Sequence, residues 1–190
     1  MKRFSIGLAI LAFSFTTAHA EEAYVDAAKA YLSANVAPVV TAAEMIDAIK
    51  QANAAHASLD QGGIDSLDKA WRAEVEGGGS GPAIDAVLGT ALSKKLADFR
   101  AGSGGVVTEI FVMDNKGLNV AQSDVTSDYW QGDEDKFSKS FGAGAGSVFV
   151  DAVEKDESTQ ALQTQASMAI TSESGEVIGA VTVGINLDKL

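Results

Sequence analysis

The sequence predicts an α+β chain in which a helical half, residues 21–101, precedes a five-stranded antiparallel sheet, residues 106–190. Three observations carry this. Apolar residues recur at helical spacing up to Phe99, and after Gly102-Ser103-Gly104-Gly105 the pattern becomes extended, with β-branched and aromatic residues in runs separated by short polar turns. A third is the clean alternation of Leu162, Thr164, Ala166, Met168 and Ile170 against Gln163, Gln165, Ser167 and Thr171, which gives one apolar and one polar face.

In the helical half, Tyr24, Ala28, Tyr31 and Leu32 form the first stripe, and Pro38, which lacks an amide proton, is expected to break or bend that helix. Thr41-Ala42-Ala43-Glu44 reads as a capping box that restarts it, with Met45, Ile46 and Ile49 facing inward and Gly62-Gly63 as the stop. Ile64, Leu67, Trp71 and Val75 share a face of a short helix closed by Glu76-Gly77-Gly78-Gly79-Ser80-Gly81. Pro82 then opens a helix whose stripe runs through Ile84, Val87, Leu88, Ala91, Leu92, Leu96 and Phe99.

In the second half, Val106–Met113 is a central strand, Asp114-Asn115-Lys116-Gly117 a turn, and Leu118–Ser123 the second arm of a hairpin. Asp124–Gly146 is a long polar insertion with a short helix. Strands at Val148–Val153, Gln160–Thr171 and Val177–Ile185 follow, joined by Lys155–Ser158 and Glu173–Glu176. The helices are expected on the apolar face of the sheet and the insertion over its polar face.

Composition narrows the function. The chain has 190 residues, no Cys and a formal net charge of -12. Disulfides and thiolate chemistry are excluded, and nucleic acid or an anionic membrane surface is a poor partner for such an acidic chain. Lys2-Arg3, the apolar run Phe4–Phe15 and Ala18-His19-Ala20 together read as a secretory signal peptide, residues 1–20, cut after Ala20. A periplasmic protein comprising residues 21–190 is expected, with no membrane span after cleavage. In the mature chain His56 is the sole imidazole, at a helix end, and no nucleophile elbow is present, so the expectation is a non-catalytic protein without a cofactor.

The succession of two strands, a helix-bearing insertion and three strands, all after a long N-terminal helix, resembles the extracytoplasmic PAS-like sensor domains called Cache or PDC domains, in a single-Cache form. Three segments carry the resemblance: Glu109-Ile110-Phe111-Val112-Met113-Asp114-Asn115-Lys116-Gly117, Ser127-Asp128-Tyr129-Trp130-Gln131-Gly132 and Val177-Ile178-Gly179-Ala180-Val181-Thr182-Val183-Gly184. It implies a PAS-like five-stranded antiparallel sheet with long N-terminal helices on one face, and a pocket between the other face and the insertion. It also implies a small-molecule ligand: a carboxylate, amino acid, amine or purine. Because the sequence ends at Leu190, directly after the last strand, signalling is expected to pass through a membrane receptor or envelope partner. The first helix is a candidate for pairing with a second copy.

Candidate ligand-binding residues follow from position. Tyr129 and Trp130 are adjacent large aromatics in a polar insertion, suited to pocket walls or to anchoring the loop on the sheet, with Asp128 and Gln131 beside them. Lys136 is a cation in an acidic stretch, suited to a ligand carboxylate or to a surface ion pair with Asp133 or Glu134. Asp151, Gln163, Gln165 and Ser167 line the pocket if the insertion covers them and are wet sheet otherwise. Asp124, Asp128, Asp133, Glu134 and Asp135 form an acidic cluster matching no calcium-loop spacing, so no metal site is assigned. The competing functions are an envelope adaptor without a ligand and a metal-dependent hydrolase built on the acidic insertion.

Overall fold

A computed structural model describes residues 16–155 and 161–190. Residues 1–15 and 156–160, on which most of the expected signal peptide and of the expected Lys155–Ser158 separator fall, lie outside the described residues. Helix α1 (Thr16–Tyr31) continues through a π turn, Leu32–Val36, into α2 (Ala37–Val40), so Ala28, Leu32, Val36 and Val40 form one buried stripe. Pro38 therefore does not end the helix. The wider π turn immediately before it, in which the Ala37 amide donates to the Leu32 carbonyl, absorbs the missing donor and the crowding of the proline ring.

The remaining helices are α3 (Ala43–His56), α4 (Gln61–Glu76), α5 (Pro82–Leu88) and α6 (Ala91–Gly102). Three boundaries differ from the sequence reading. The residue capping α3 is Ala42, and Thr41 turns its hydroxyl back to the Ala37 carbonyl, so the capping box does not form. Gly62-Gly63 lies in the first turn of α4, whose cap is Asp60, with Oδ1 accepting the Gly63 amide at 2.9 Å. The stripe from Ile84 to Phe99 belongs to two helices, separated at Gly89-Thr90; Thr90 Oγ1 accepts the Ser93 amide and starts α6. Continuous helical spacing hides such a break, although α5 buries Ile84 and Val87 beside Trp71 and α6 buries Leu96 in the core under the sheet.

The sheet contains β1 (Val107–Met113), β2 (Asn119–Gln122), β3 (Val148–Val150), β4 (Glu154–Lys155), β5 (Leu162–Thr171) and β6 (Val177–Asn186). The insertion carries α7 (Asp135–Ser138) and a 3-10 turn, Phe141–Ala143. Strand order is β2-β1-β6-β5-β3, with the short β4 also on β5, and every pairing is antiparallel. This is the α+β, PAS-like arrangement expected. The strand expected over Val148–Val153 is shorter, and β4 is additional.

Period-two alternation sorts the sheet residues onto its faces. Ile110 and Val112 of β1, Val181, Val183 and Ile185 of β6, and Ala166 and Ile170 of β5 face α1, α2, α3 and α6, forming the main core with Leu32, Val36, Ile49 and Leu96. Phe111, Met113 and Ala180 point the other way and pack against Phe137 and Phe141 of the insertion. The insertion thus roofs the second face. Among the described residues no single helix is long and apolar enough to cross a membrane.

Candidate functional site

A cavity of about 310 Å³ lies between the start of α7 and the sheet. Its floor forms because β6 presents a glycine between two long polar side chains: Gly184 is the cross-strand partner of Glu109 on β1 and of Gln165 on β5. Gln165 Nε2 donates to Glu109 Oε1 at 2.8 Å over it. A Cβ on Gly184 would lie 2.3 Å from Thr108 Oγ1 and 2.8 Å from Glu109 Cγ, so any side chain there disturbs the floor. Gln163, Thr164, Asp151 and Glu154 form one wall, and Glu134, Asp135 and Lys136 the roof. A second space of about 140 Å³, bounded by Phe111, Thr126 and Gln131, shares Glu109, Gln165 and Lys136 with the first.

The electrostatics are one-sided. Five carboxylic side chains, Glu109, Glu134, Asp135, Asp151 and Glu154, line the larger space against one cation, Lys136. Asp135 is paired with Lys139 at 2.7 Å and Glu134 with Lys136 at 3.0 Å. Among the described residues Glu109, Asp151 and Glu154 have no ion-pair partner. Lys136 is largely buried, its ammonium 3.2 Å from Gln131 Oε1 and 5.5 Å from the Phe111 ring centroid, within cation–π range.

The candidate residues therefore divide. Asp151, Gln163, Gln165 and Lys136 line the larger cavity, and Gln131, itself buried, lines the smaller one. The Asp151 backbone carbonyl also accepts the Thr164 hydroxyl at 2.8 Å and the Tyr24 hydroxyl of α1 at 3.3 Å, so this wall is tied to the N-terminal helix. Ser167 is fully buried beside Thr182, 2.9 Å between hydroxyls, and lines neither space.

Tyr129 and Trp130 line neither space under the insertion. Their amides both donate to Asp68 Oδ1 of α4, at 2.9 and 3.0 Å, which draws the insertion outward onto the helices. Tyr129 then stacks on the buried Trp71, centroids 5.4 Å apart, in a satellite core with Ile84 and Val87. Burial, with a smaller contribution from the Asp114 charge, pushes its phenol up to about 12. Trp130 donates Nε1 to the Lys116 carbonyl at 2.7 Å and borders an outer groove with Asp65, Asp68 and Arg72. Asp128 accepts from Arg72 at 3.1 Å. The guanidinium of Arg72 is held above its ordinary range, first by its hydrogen bond to Asp68.

Four of the five members of the acidic cluster are dispersed onto different cations: Asp124 meets Arg100, Asp128 meets Arg72, Glu134 meets Lys136 and Asp135 meets Lys139. Among the described residues no three His, Asp or Glu side chains converge as ligands for a metal ion. His56 places Nδ1 2.6 Å from the carboxylate of Asp114, which is fully buried. The other Asp114 oxygen accepts the Lys116 and Leu118 amides, so the pair ties the end of α3 to the β1–β2 turn.

Sequence reasoning missed Glu109, Phe111, Glu134, Asp135, Glu154, Thr164 and Gly184 as lining residues. A signal existed for Glu109, the sole charge inside Val107–Met113 and two residues before Phe111, hence on the same face. For Gly184 the signal was a glycine inside a strand rich in β-branched residues, which marks a close approach.

No family model matches the sequence, and no curated protein matches it. Among the solved structures that align with this chain are sensor domains. The sensor domain of the V. cholerae histidine kinase DctB aligns at 10% identity and TM-score 0.46, covering 90% of this chain and 56% of that one. The Campylobacter jejuni chemoreceptor Tlp3 sensory domain with isoleucine bound aligns at 14% and 0.38, covering 91% and 64%. The E. coli DcuS sensor domain aligns at 18% and 0.37, covering 66% and 92%. The chain thus spans less than two thirds of the DctB and Tlp3 domains.

Proposed function

We propose that this chain is a single-Cache, periplasmic sensory protein that binds a small molecule between α7 and the floor formed by Glu109, Gly184 and Gln165. In this reading residues 1–20 direct export and are cut after Ala20, and residues 21–190 form the binding module. The protein is non-catalytic and reports ligand occupancy to a receptor or envelope partner. The observation that carries the reading is the roofed cavity, whose volume falls within the range of small-ligand sites and whose polar groups converge from β1, β5 and α7. The link from Asp151 to Tyr24 supplies a direct contact between cavity wall and N-terminal helix.

The test is a thermal-shift panel of small carboxylates, amino acids, amines and purines on the full chain. A ligand at a hundred times its dissociation constant adds about 2.7 kcal/mol of stability. Stabilisation by members of one class supports the reading; absence of any shift across the panel overturns it in favour of a ligand-free adaptor.

A further inference from the structure

Among the groups around the cavity, Lys136 behaves unlike the rest. Its ammonium is not free to meet an incoming anion: Glu134 Oε2 at 3.0 Å, Gln131 Oε1 at 3.2 Å and the face of Phe111 already surround it. A carboxylate, an amide oxygen and an aromatic face are the three kinds of group that recognise an alkylammonium ion. The space under the insertion is therefore seen holding an alkylammonium, one supplied by the chain itself. Lys136 also borders both spaces. What surrounds it is unfavourable to anions, since Glu109, Asp151 and Glu154 face the same volume without a cationic partner among the described residues.

We propose that the cavity selects ligands bearing a primary ammonium group, and that Lys136 is a tethered stand-in for that group, occupying the cradle of Gln131, Glu134 and Phe111 until the ligand displaces it. This rests on the ligand-binding reading above and narrows it to one chemical class. A tethered occupant weakens apparent affinity by the fraction of time it fills the cradle, so its removal strengthens binding. The same geometry makes Lys136 a specificity residue: anions lose the one cation that would meet them, and amines inherit its partners.

The experiment compares the full chain with its Lys136→Ala and Lys136→Met variants, titrated by calorimetry with 1,4-diaminobutane, n-butylammonium and succinate at matched ionic strength. Lys136→Met keeps the stem over Phe111 and guards against a folding defect. The expected result is diamine binding to the wild type, tightening on the order of tenfold in both variants, with n-butylammonium raising the melting temperature of Lys136→Ala more than that of the wild type. Succinate binding that is lost in both variants overturns the proposal while sustaining the sensor reading, with Lys136 then a carboxylate partner. Amine binding that weakens in both variants also overturns it, as does no binding of any probe to the three proteins. In that last case the wider panel decides the sensor reading on its own.

Discussion

Gln165 reaches Glu109 across a strand that separates them, and the 2.8 Å hydrogen bond between them exists because the intervening residue, Gly184, has no side chain. The pair makes a polar floor in the middle of a sheet whose opposite face is apolar. Substituting Gly184 by Val overpacks this point against Thr108 and Glu109. The expected cost is about 1–3 kcal/mol, and the melting temperature should fall by roughly 2–4 °C per kcal/mol for a chain of this size. Ligand-induced stabilisation should disappear as well. A variant that keeps both its melting temperature and its ligand shift would show that the floor is not part of the site.

Asp68 holds the insertion in place by accepting two consecutive backbone amides, those of Tyr129 and Trp130. Asp68→Ala strands both donors and should cost about 1–3 kcal/mol. Amide exchange should accelerate at Tyr129 and Trp130 far more than at the β5–β6 ladder, because the insertion opens while the sheet stays closed. Equal acceleration everywhere would mean global destabilisation rather than release of a clamp.

The Tyr129 phenol, raised to about 12 by burial against Trp71, links stability to alkaline pH. Its neutral form is favoured in the folded state, so the contribution is complete below the unfolded value near 10 and is lost as pH rises from about 10 to 12. About 3 kcal/mol should vanish over that window, and Tyr129→Phe should remove most of the dependence, leaving the part due to Tyr31, whose phenol burial also raises. Denaturant titrations at pH 9 and pH 11.5 check it; an unchanged slope in Tyr129→Phe would assign the effect to another group.

Much of this architecture is legible in the sequence because its signals are local. The hairpin turn at Asp114–Gly117, the strand alternation of β5 and the turn at Glu173–Glu176 each state their own geometry. Helix boundaries fail where local chemistry is ambiguous. Thr41 and Glu44 have capping-box spacing, yet the Thr41 hydroxyl finds the Ala37 carbonyl because the preceding turn is still helical. The site is harder still. Asp151, Gln163 and Gln165 were reachable from alternation, whereas Tyr129 and Trp130 were drawn away by Asp68, 61 and 62 residues distant along the chain and silent in any local pattern.

That contrast is itself measurable. Asp60→Ala removes an observed cap and should cost about 1 kcal/mol, while Thr41→Ala removes a hydroxyl that caps nothing and should change stability by less than about 0.5 kcal/mol. Urea denaturation of the two variants decides it; equal losses would place a working cap at Thr41.

Asp114 should be the most sensitive polar position outside the cavity. It is fully buried and accepts from His56, Lys116 and Leu118. Asp114→Ala leaves three donors without their acceptor and should cost on the order of 3 kcal/mol or more, a loss that chemical denaturation reads directly. A loss below about 1 kcal/mol would mean that the β1–β2 turn is held by other contacts.

The most direct measurement is a crystal structure of the protein soaked with the compound that stabilises it most. Density enclosed by Glu109, Gln165, Lys136 and Asp151 above Gly184 is the predicted result. Density in the outer groove of Asp65, Arg72 and Trp130, with the space above Gly184 empty, would contradict the account.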